Sequence, residues 1–179
     1  MDITLQTGPT AVTVRDLEPD DEAAVLAVFT AAEDWFLAET GQPSAPGDVQ
    51  SSFYALPDGA AFEDKVLLVI EADGEVVGYV DAVLHHPHST SIGIGTFLIR
   101  PEARRRGIGR AVAQALSAAA GKDGFTQIST HVAPGWEPGR EFLDALGYEF
   151  SDARHPGPAN RRPGPYDGPV IPAVGRLPA

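Results

Sequence analysis

Cysteine is absent from the 179 residues. That excludes disulfides and thiolate metal ligands but says little about compartment, since reducing cytosol merely makes disulfides useless. No apolar run approaches the roughly 20 residues that a membrane span needs. The opening MDITLQTGPT has neither the basic start nor the apolar core of a secretory signal. A cytoplasmic protein with no membrane partner is expected. Basic residues are also scarce: 13 Lys and Arg face 25 Asp and Glu, a net charge of −12. Such a balance excludes nucleic acid as a partner, because phosphate backbones require extended positive potential.

The scarcity is uneven. Residues 1–99 hold seventeen acids against Arg15 and Lys65, whereas residues 100–110 hold five Arg against Glu102. The basic patch is therefore local and sized for a small polyanion. The length suits one domain spanning 1–179, with a core over about 11–152. A tail over 153–179 follows; from His155 onward it carries seven Pro and four Gly.

AVTVRDL alternates as a strand does, with Val12 and Val14 on one face. The stretch through Val25, Phe29, Ala32 and Phe36 has helical spacing and stops at Gly41, and a shorter helical segment follows around 49–55. KVLLVIEADGEVVGYVDAVLHH reads as two strands about the turn Asp73-Gly74, and TSIGIGTFLIR as a third, antiparallel to them. Ile108, Val112 and Leu116 then give a helix an apolar face that runs to Gly121. FTQISTHV, a strand, and PGREFLDAL, a short helix, complete a strand, helix, strand order that implies a parallel pair with a right-handed crossover. YEF begins a further strand. In the tail, GPVIPAVGRL suits an edge strand, where Pro is tolerated.

The segment FLIRPEARRRGIGRAVAQAL places a strand end, a turn and a helix start in succession. Gly107 and Gly109 clear side chains from the turn, and the free N–H groups of a helix N-terminus attract phosphate. Arg104, Arg105, Arg106 and Arg110 stand against the helix dipole unless an anion intervenes. Val112 occupies the place of the third small residue of a dinucleotide fingerprint, and the one Gly-Lys pair, Gly121-Lys122, precedes Asp123 rather than Ser or Thr, which excludes a P-loop.

Arg104-x-x-Gly107-x-Gly109, after a strand and Pro101 and before an alanine-rich helix, resembles the acetyl-CoA motif of the GNAT superfamily of N-acetyltransferases. The resemblance extends over about 11–152, to the downstream LGYEF. It implies a mixed α/β (α+β) fold: a mostly antiparallel central sheet flanked by helices, with two strands splayed to form the acetyl-CoA cleft. It also implies that residues 104–110, Ile108 included, hold the pyrophosphate, with acetyl-CoA as acetyl donor and no metal. The third antiparallel strand would bulge near Gly93 and Gly95, leaving the backbone of Phe97, Leu98 and Ile99 to pair with pantetheine. The reaction implied is direct attack by a primary amine of a small molecule or peptide in a ternary complex. Many members carry an acidic Tyr four residues before the last-helix glycine; here that position is Leu143. The departure keeps a rival reading open, a non-catalytic acyl-CoA-binding module, beside a more general sensor of phosphate ligands.

For the base, His131 lies at the end of the strand expected to border the cleft, and its chemistry suits the task; a strand-end hydrogen bond is its other reading. Asp81 interrupts an apolar strand and is either paired or in contact with substrate. Glu33 and Asp34, late in the first helix, would give the acceptor pocket an acidic wall suited to a cationic amine, with Trp136, Trp35 and Phe36 as lining or core. His85, His86 and His88 lie on a Pro-containing turn without Cys or regularly spaced carboxylates, so no metal is expected there. The expected partner is an amine, with room left for a homodimer.

Overall fold

The computed structural model describes residues 2–151 and 170–177. Strands β1 (Asp2–Thr7), β2 (Thr10–Asp16), β3 (Lys65–Ala72), β4 (Glu75–Leu84), β5 (Ser91–Ile99), β6 (Gln127–Val132), β7 (Glu149–Phe150) and β8 (Ile171–Arg176) join in one sheet. Their spatial order is β1-β2-β3-β4-β5-β6-β8-β7. β5 and β6 run parallel, and the other neighbours pair antiparallel. The helices are α1 (Glu22–Ala31), α2 (Glu33–Thr40), α3 (Pro46–Tyr54), α4 (Ile108–Lys122) and α5 (Glu137–Ala145).

Strand alternation divides the core between the two sheet faces. Val69, Tyr79 and Leu98 pack with Val25 and Phe29 of α1, Phe36 of α2 and Val49 of α3. Their chain neighbours Leu68, Ile70, Val80 and Ile99 pack with Ile108 and Val112 of α4. β4 is thus covered on both faces, the physical reason its sequence is nearly continuously apolar. Asp73 (φ 51°) and Gly74 (φ 85°) make the hairpin turn between β3 and β4 with the left-handed conformations that such a turn requires.

Three features depart from the sequence reading. β1 is an additional strand, paired with β2 from Asp2↔Arg15 to Thr7↔Thr10; its apolar signal is only Ile3 and Leu5. The first helix is two: Ala32, at φ −88° and ψ 34°, separates α1 from α2. Neither Gly nor Pro marks the joint. It lies in tertiary packing, where Phe29 stacks on both Phe36 and Tyr79 at centroid distances of 5.0 and 5.3 Å.

The tail strand, β8, is not an edge strand but lies between β6 and β7. Pro172, which has no N–H to donate, is accommodated because its peptide nitrogen faces β7, which is two residues long; its carbonyl accepts Ser151 N–H there at 2.9 Å. The remainder of the predicted tail, up to residue 169, lies outside the described residues.

The expected bulge is at Gly95. Asp81 pairs with Thr96 and Ala82 with Ile94, leaving Gly95 as the extra residue. β5 and β6 pair only through Ser91↔Gln127, Ile92↔Ile128 and Gly93↔Ser129. The Thr130 hydroxyl donates to Ile94 O at 3.0 Å, and beyond it the strands part. Phe97, Leu98 and Ile99 therefore keep β4 as strand partner on one side and open to a cleft on the other.

Candidate active site

The parted strands open two cavities that share a wall. One, about 440 Å³, runs from Phe97, Leu98 and Ile99 to Gly107, Gly109 and Arg110 at the start of α4. The other, about 540 Å³, lies towards α2, α3 and the segment after α3. Trp35, Glu39, Ile94, Gly95, Thr130 and His131 line both. A ligand in either cavity thus reaches the same bulge and the same imidazole.

The α4 N-terminus carries no side-chain cap and no acidic residue in its first turn, so its N–H groups and dipole are free to meet an anion. Both glycines line the first cavity, and each also faces a neighbour within the protein. Gly107 adopts φ 82°, and a Cβ there would stand 3.1 Å from Thr7 Cγ2. Gly109 lets α4 approach Phe142 of α5, with a Cβ position 3.4 Å from its ring.

The arginines are also more divided than the sequence suggested. Arg104 donates from Nε to Ile99 O at 2.7 Å and grips Asp34 with both terminal nitrogens, tying α2 to the end of β5. Arg106 turns away from the cavity and donates to Thr10 Oγ1 at 2.9 Å. Ile108 sends its side chain into the core, so only its backbone can face a ligand. Arg104, Arg105 and Arg110 line the cavity: Arg105 is 91% exposed, and Arg110 donates to Ala145 O, the last carbonyl of α5, at 2.9 Å.

His131 sits on the shared wall, with Nε2 3.6 Å from Glu39 Oε2. Glu39 is 5% exposed, and its other oxygen accepts the Ala133 N–H at 2.9 Å. Asp81 lines the second cavity and is held by Lys65 Nζ at 2.8 Å; the same ammonium donates to Ala55 O at 2.6 Å. Burial raises the Asp81 carboxyl above its ordinary value of 3.8, and the Lys65 ammonium offsets only part of that rise. Tyr79, two residues before Asp81 on the same face of β4, is buried in the core and bonds Ser52 Oγ at 3.0 Å; burial and the Asp81 charge push its phenol up. Leu143 lines the first cavity. So does Tyr148, whose phenol burial pushes up to about 12, against its ordinary 10.

The acidic wall expected from Glu33 and Asp34 is not built by those residues. Glu33 is exposed, Asp34 is committed to Arg104, and neither lines a cavity. The carboxylates that line the second cavity are Glu39, Asp48, Asp58 and Asp81. Trp136 lines the first cavity rather than the second, near the Arg104 guanidinium. Glu39 was detectable: it continues the spacing of Phe29, Ala32 and Phe36 and so falls on the buried helix face. Asp48 and Asp58 carry no comparable signal. His86 lines the second cavity against Gly93. Among the described residues, no group of three or more His, Asp or Glu is placed to hold a metal ion.

Residues 29–148 match the family model described as Acetyltransferase (GNAT) family. Among solved structures, an acetyltransferase from Thermus thermophilus aligns at 21% identity and a TM-score of 0.70, covering 98% of this chain and 100% of that one. The GNAT domain of S. lividans PAT aligns at 19% identity and TM-score 0.68, with 99% and 96% coverage. A PaiA N-acetyltransferase from Thermoplasma acidophilum, in complex with coenzyme A, aligns at 16% identity and TM-score 0.63, with 92% and 98% coverage. At these identities the structural likeness is one of fold. No curated protein matches the sequence.

Proposed function

Because the chain belongs to the GNAT family and is an acetyltransferase, we propose that it moves the acetyl group of acetyl-CoA to a primary amine of a small molecule or peptide, by direct attack in a ternary complex. The observation that carries this reading is the pair of cavities meeting at one wall, which lets two substrates approach a common point from opposite sides.

The first cavity suits the donor. The uncapped α4 N-terminus, with Arg105 and Arg110 beside it, offers N–H groups and positive charge to the pyrophosphate. The free side of β5 at Phe97, Leu98 and Ile99 offers backbone groups to pantetheine, with Trp136 along the wall. Acetyl-CoA supplies the acyl group as a thioester. A backbone N–H at the Gly95 bulge would donate to the carbonyl oxygen as negative charge grows on it.

The second cavity suits the amine. Four carboxylates line it, one of them, Asp81, held by Lys65 from behind the wall, and the acidic excess favours a cationic acceptor. His131 would take the proton that the nucleophilic nitrogen must lose. Asp81 would face the acceptor from β4, beneath the bulge; a Cβ on Gly95 would stand 3.9 Å from its Oδ2. Leu143 offers no proton to the departing sulfur. A thiolate, with an ordinary pKa of about 8.5, leaves without one.

The test is release of free thiol from acetyl-CoA with a panel of polyamines, aminoglycosides, amino acids and short peptides, alongside calorimetry of acetyl-CoA binding. Amine-dependent release is expected, fastest with acceptors carrying more than one positive charge. Binding without release for any amine would favour the non-catalytic module, and absence of binding would remove the donor assignment.

A further inference from the structure

The proposed reading gives Glu39 no part in the proton transfer, yet a buried carboxylate must be paired, and the way this one is paired is directional. Oε1 is pinned by the Ala133 N–H at 2.9 Å, just past the end of β6, and this bond points Oε2 at His131 Nε2. The 3.6 Å separation is longer than a formed hydrogen bond and within ion-pair reach once the ring is protonated. Both residues lie on the wall common to the two cavities. The α2 segment that carries Glu39 is anchored at its other end by the Asp34–Arg104 pair and in its middle by Phe36, which is 5% exposed. The carboxylate therefore has little freedom to move off the imidazole.

We propose that Glu39 is a positioning residue which sets the tautomer and orientation of His131. The inference rests on the reading of His131 as the base. A carboxylate accepts and cannot donate. Facing Nε2, Glu39 holds the ring proton on that nitrogen and leaves the Nδ1 lone pair, the one turned away from it, to receive the proton from the amine. When Nδ1 takes that proton, the bond broken is the amine N–H. The electron pair remains on the nitrogen that attacks, and the positive charge gained by the ring is balanced by Glu39 at close range. The aspartate of a serine-protease triad acts on its histidine by the same physics, where the amide isostere disables the base by stabilising the wrong tautomer.

Glu39→Gln preserves size and can still accept the Ala133 N–H through its amide oxygen. Its NH2, however, would donate to Nε2 and move the ring proton onto Nδ1. The first measurement is the tautomer of His131 by nitrogen NMR at a pH where the ring is neutral, in the full chain without ligands. Nε2–H is expected in the natural protein and Nδ1–H in Glu39→Gln. The same tautomer in both would overturn the inference whatever the activity.

The second is a kinetic cycle with acetyl-CoA and the best amine. Glu39→Gln should lower kcat about 100-fold, leave coenzyme A affinity by calorimetry within about twofold, and cause no further loss in a His131→Ala background. Additive losses would mean that Glu39 acts by supporting structure and would overturn the inference. Full turnover by His131→Ala would instead remove the reading of His131 as base, and that result is distinguishable because the tautomer measurement does not depend on catalysis.

Discussion

Asp81 and Lys65 illustrate how a side chain near the site can be held at the expense of stability. The pair is almost fully enclosed, with side-chain exposures of 13% and 3%. Removing one charge strands the other in a medium that solvates it poorly. Lys65→Met, which strands the ionised Asp81 carboxylate, should therefore cost about 3–5 kcal/mol in urea denaturation at neutral pH, whereas the double replacement Asp81→Leu/Lys65→Met should cost much less. A loss below about 0.5 kcal/mol for Lys65→Met would mean that the carboxyl is already neutral in the folded chain. The raised carboxyl pKa fixes the pH sign: between its ordinary value of 3.8 and its folded value, the folded chain binds more protons than the unfolded one. This group's contribution to stability thus falls as pH rises through that window.

At the scale of elements, the start of α4 rests on two glycines with separable roles. Gly107→Ala forces a left-handed conformation on a residue with a Cβ, at about 1–2 kcal/mol, and pushes that Cβ towards Thr7. It should lower stability and weaken coenzyme A binding together. Gly109→Ala gains helix propensity of about 1 kcal/mol against a contact with Phe142 at 3.4 Å, so urea denaturation should move by less than about 1 kcal/mol. Most of the elements were legible because their signals are local: alternation around Val12 and Val14, the Asp73-Gly74 turn, helical spacing through Phe29 and Phe36, and the Arg and Gly run before α4. The break at Ala32, the placement of β8 and the separate duties of Arg104, Arg106 and Arg110 were not legible. Each depends on a partner distant in sequence, respectively Tyr79, β6 and β7, and Asp34, Thr10 and Ala145. An acidic wall was expected, but the carboxylates that line the second cavity come from separate segments whose convergence no spacing encodes.

The whole molecule carries its charge asymmetrically, and two measurements should register it. Asp21, gripped by Arg15 at 2.7 and 2.9 Å, has its carboxyl pKa lowered chiefly by that bond. Its stabilisation is complete above the unfolded value and lost as pH falls through the folded one. Asp21→Asn should accordingly flatten the acid limb of the stability curve below about pH 4, and an unchanged limb would assign acid unfolding to other groups. On the proposed reading of the acidic cavity as the acceptor site, KM for a dicationic amine should rise severalfold between about 10 mM and about 1 M salt, as the screening length shrinks from about 30 to about 3 Å. A singly charged amine should respond less, and equal responses would deny the cavity its field. The position of β8 also carries a consequence for synthesis. Of the described strands it is made last, yet it lies inside the sheet as the antiparallel partner of both β6 and β7. While residues 170–177 are still within the ribosome, the chain already displays the arginine and glycine turn and α4, but the strand bearing His131 has one open flank and β7 has no neighbour. The turn and α4 are therefore available to a nascent chain before the strand bearing His131 is braced, and the addition of β8 braces it.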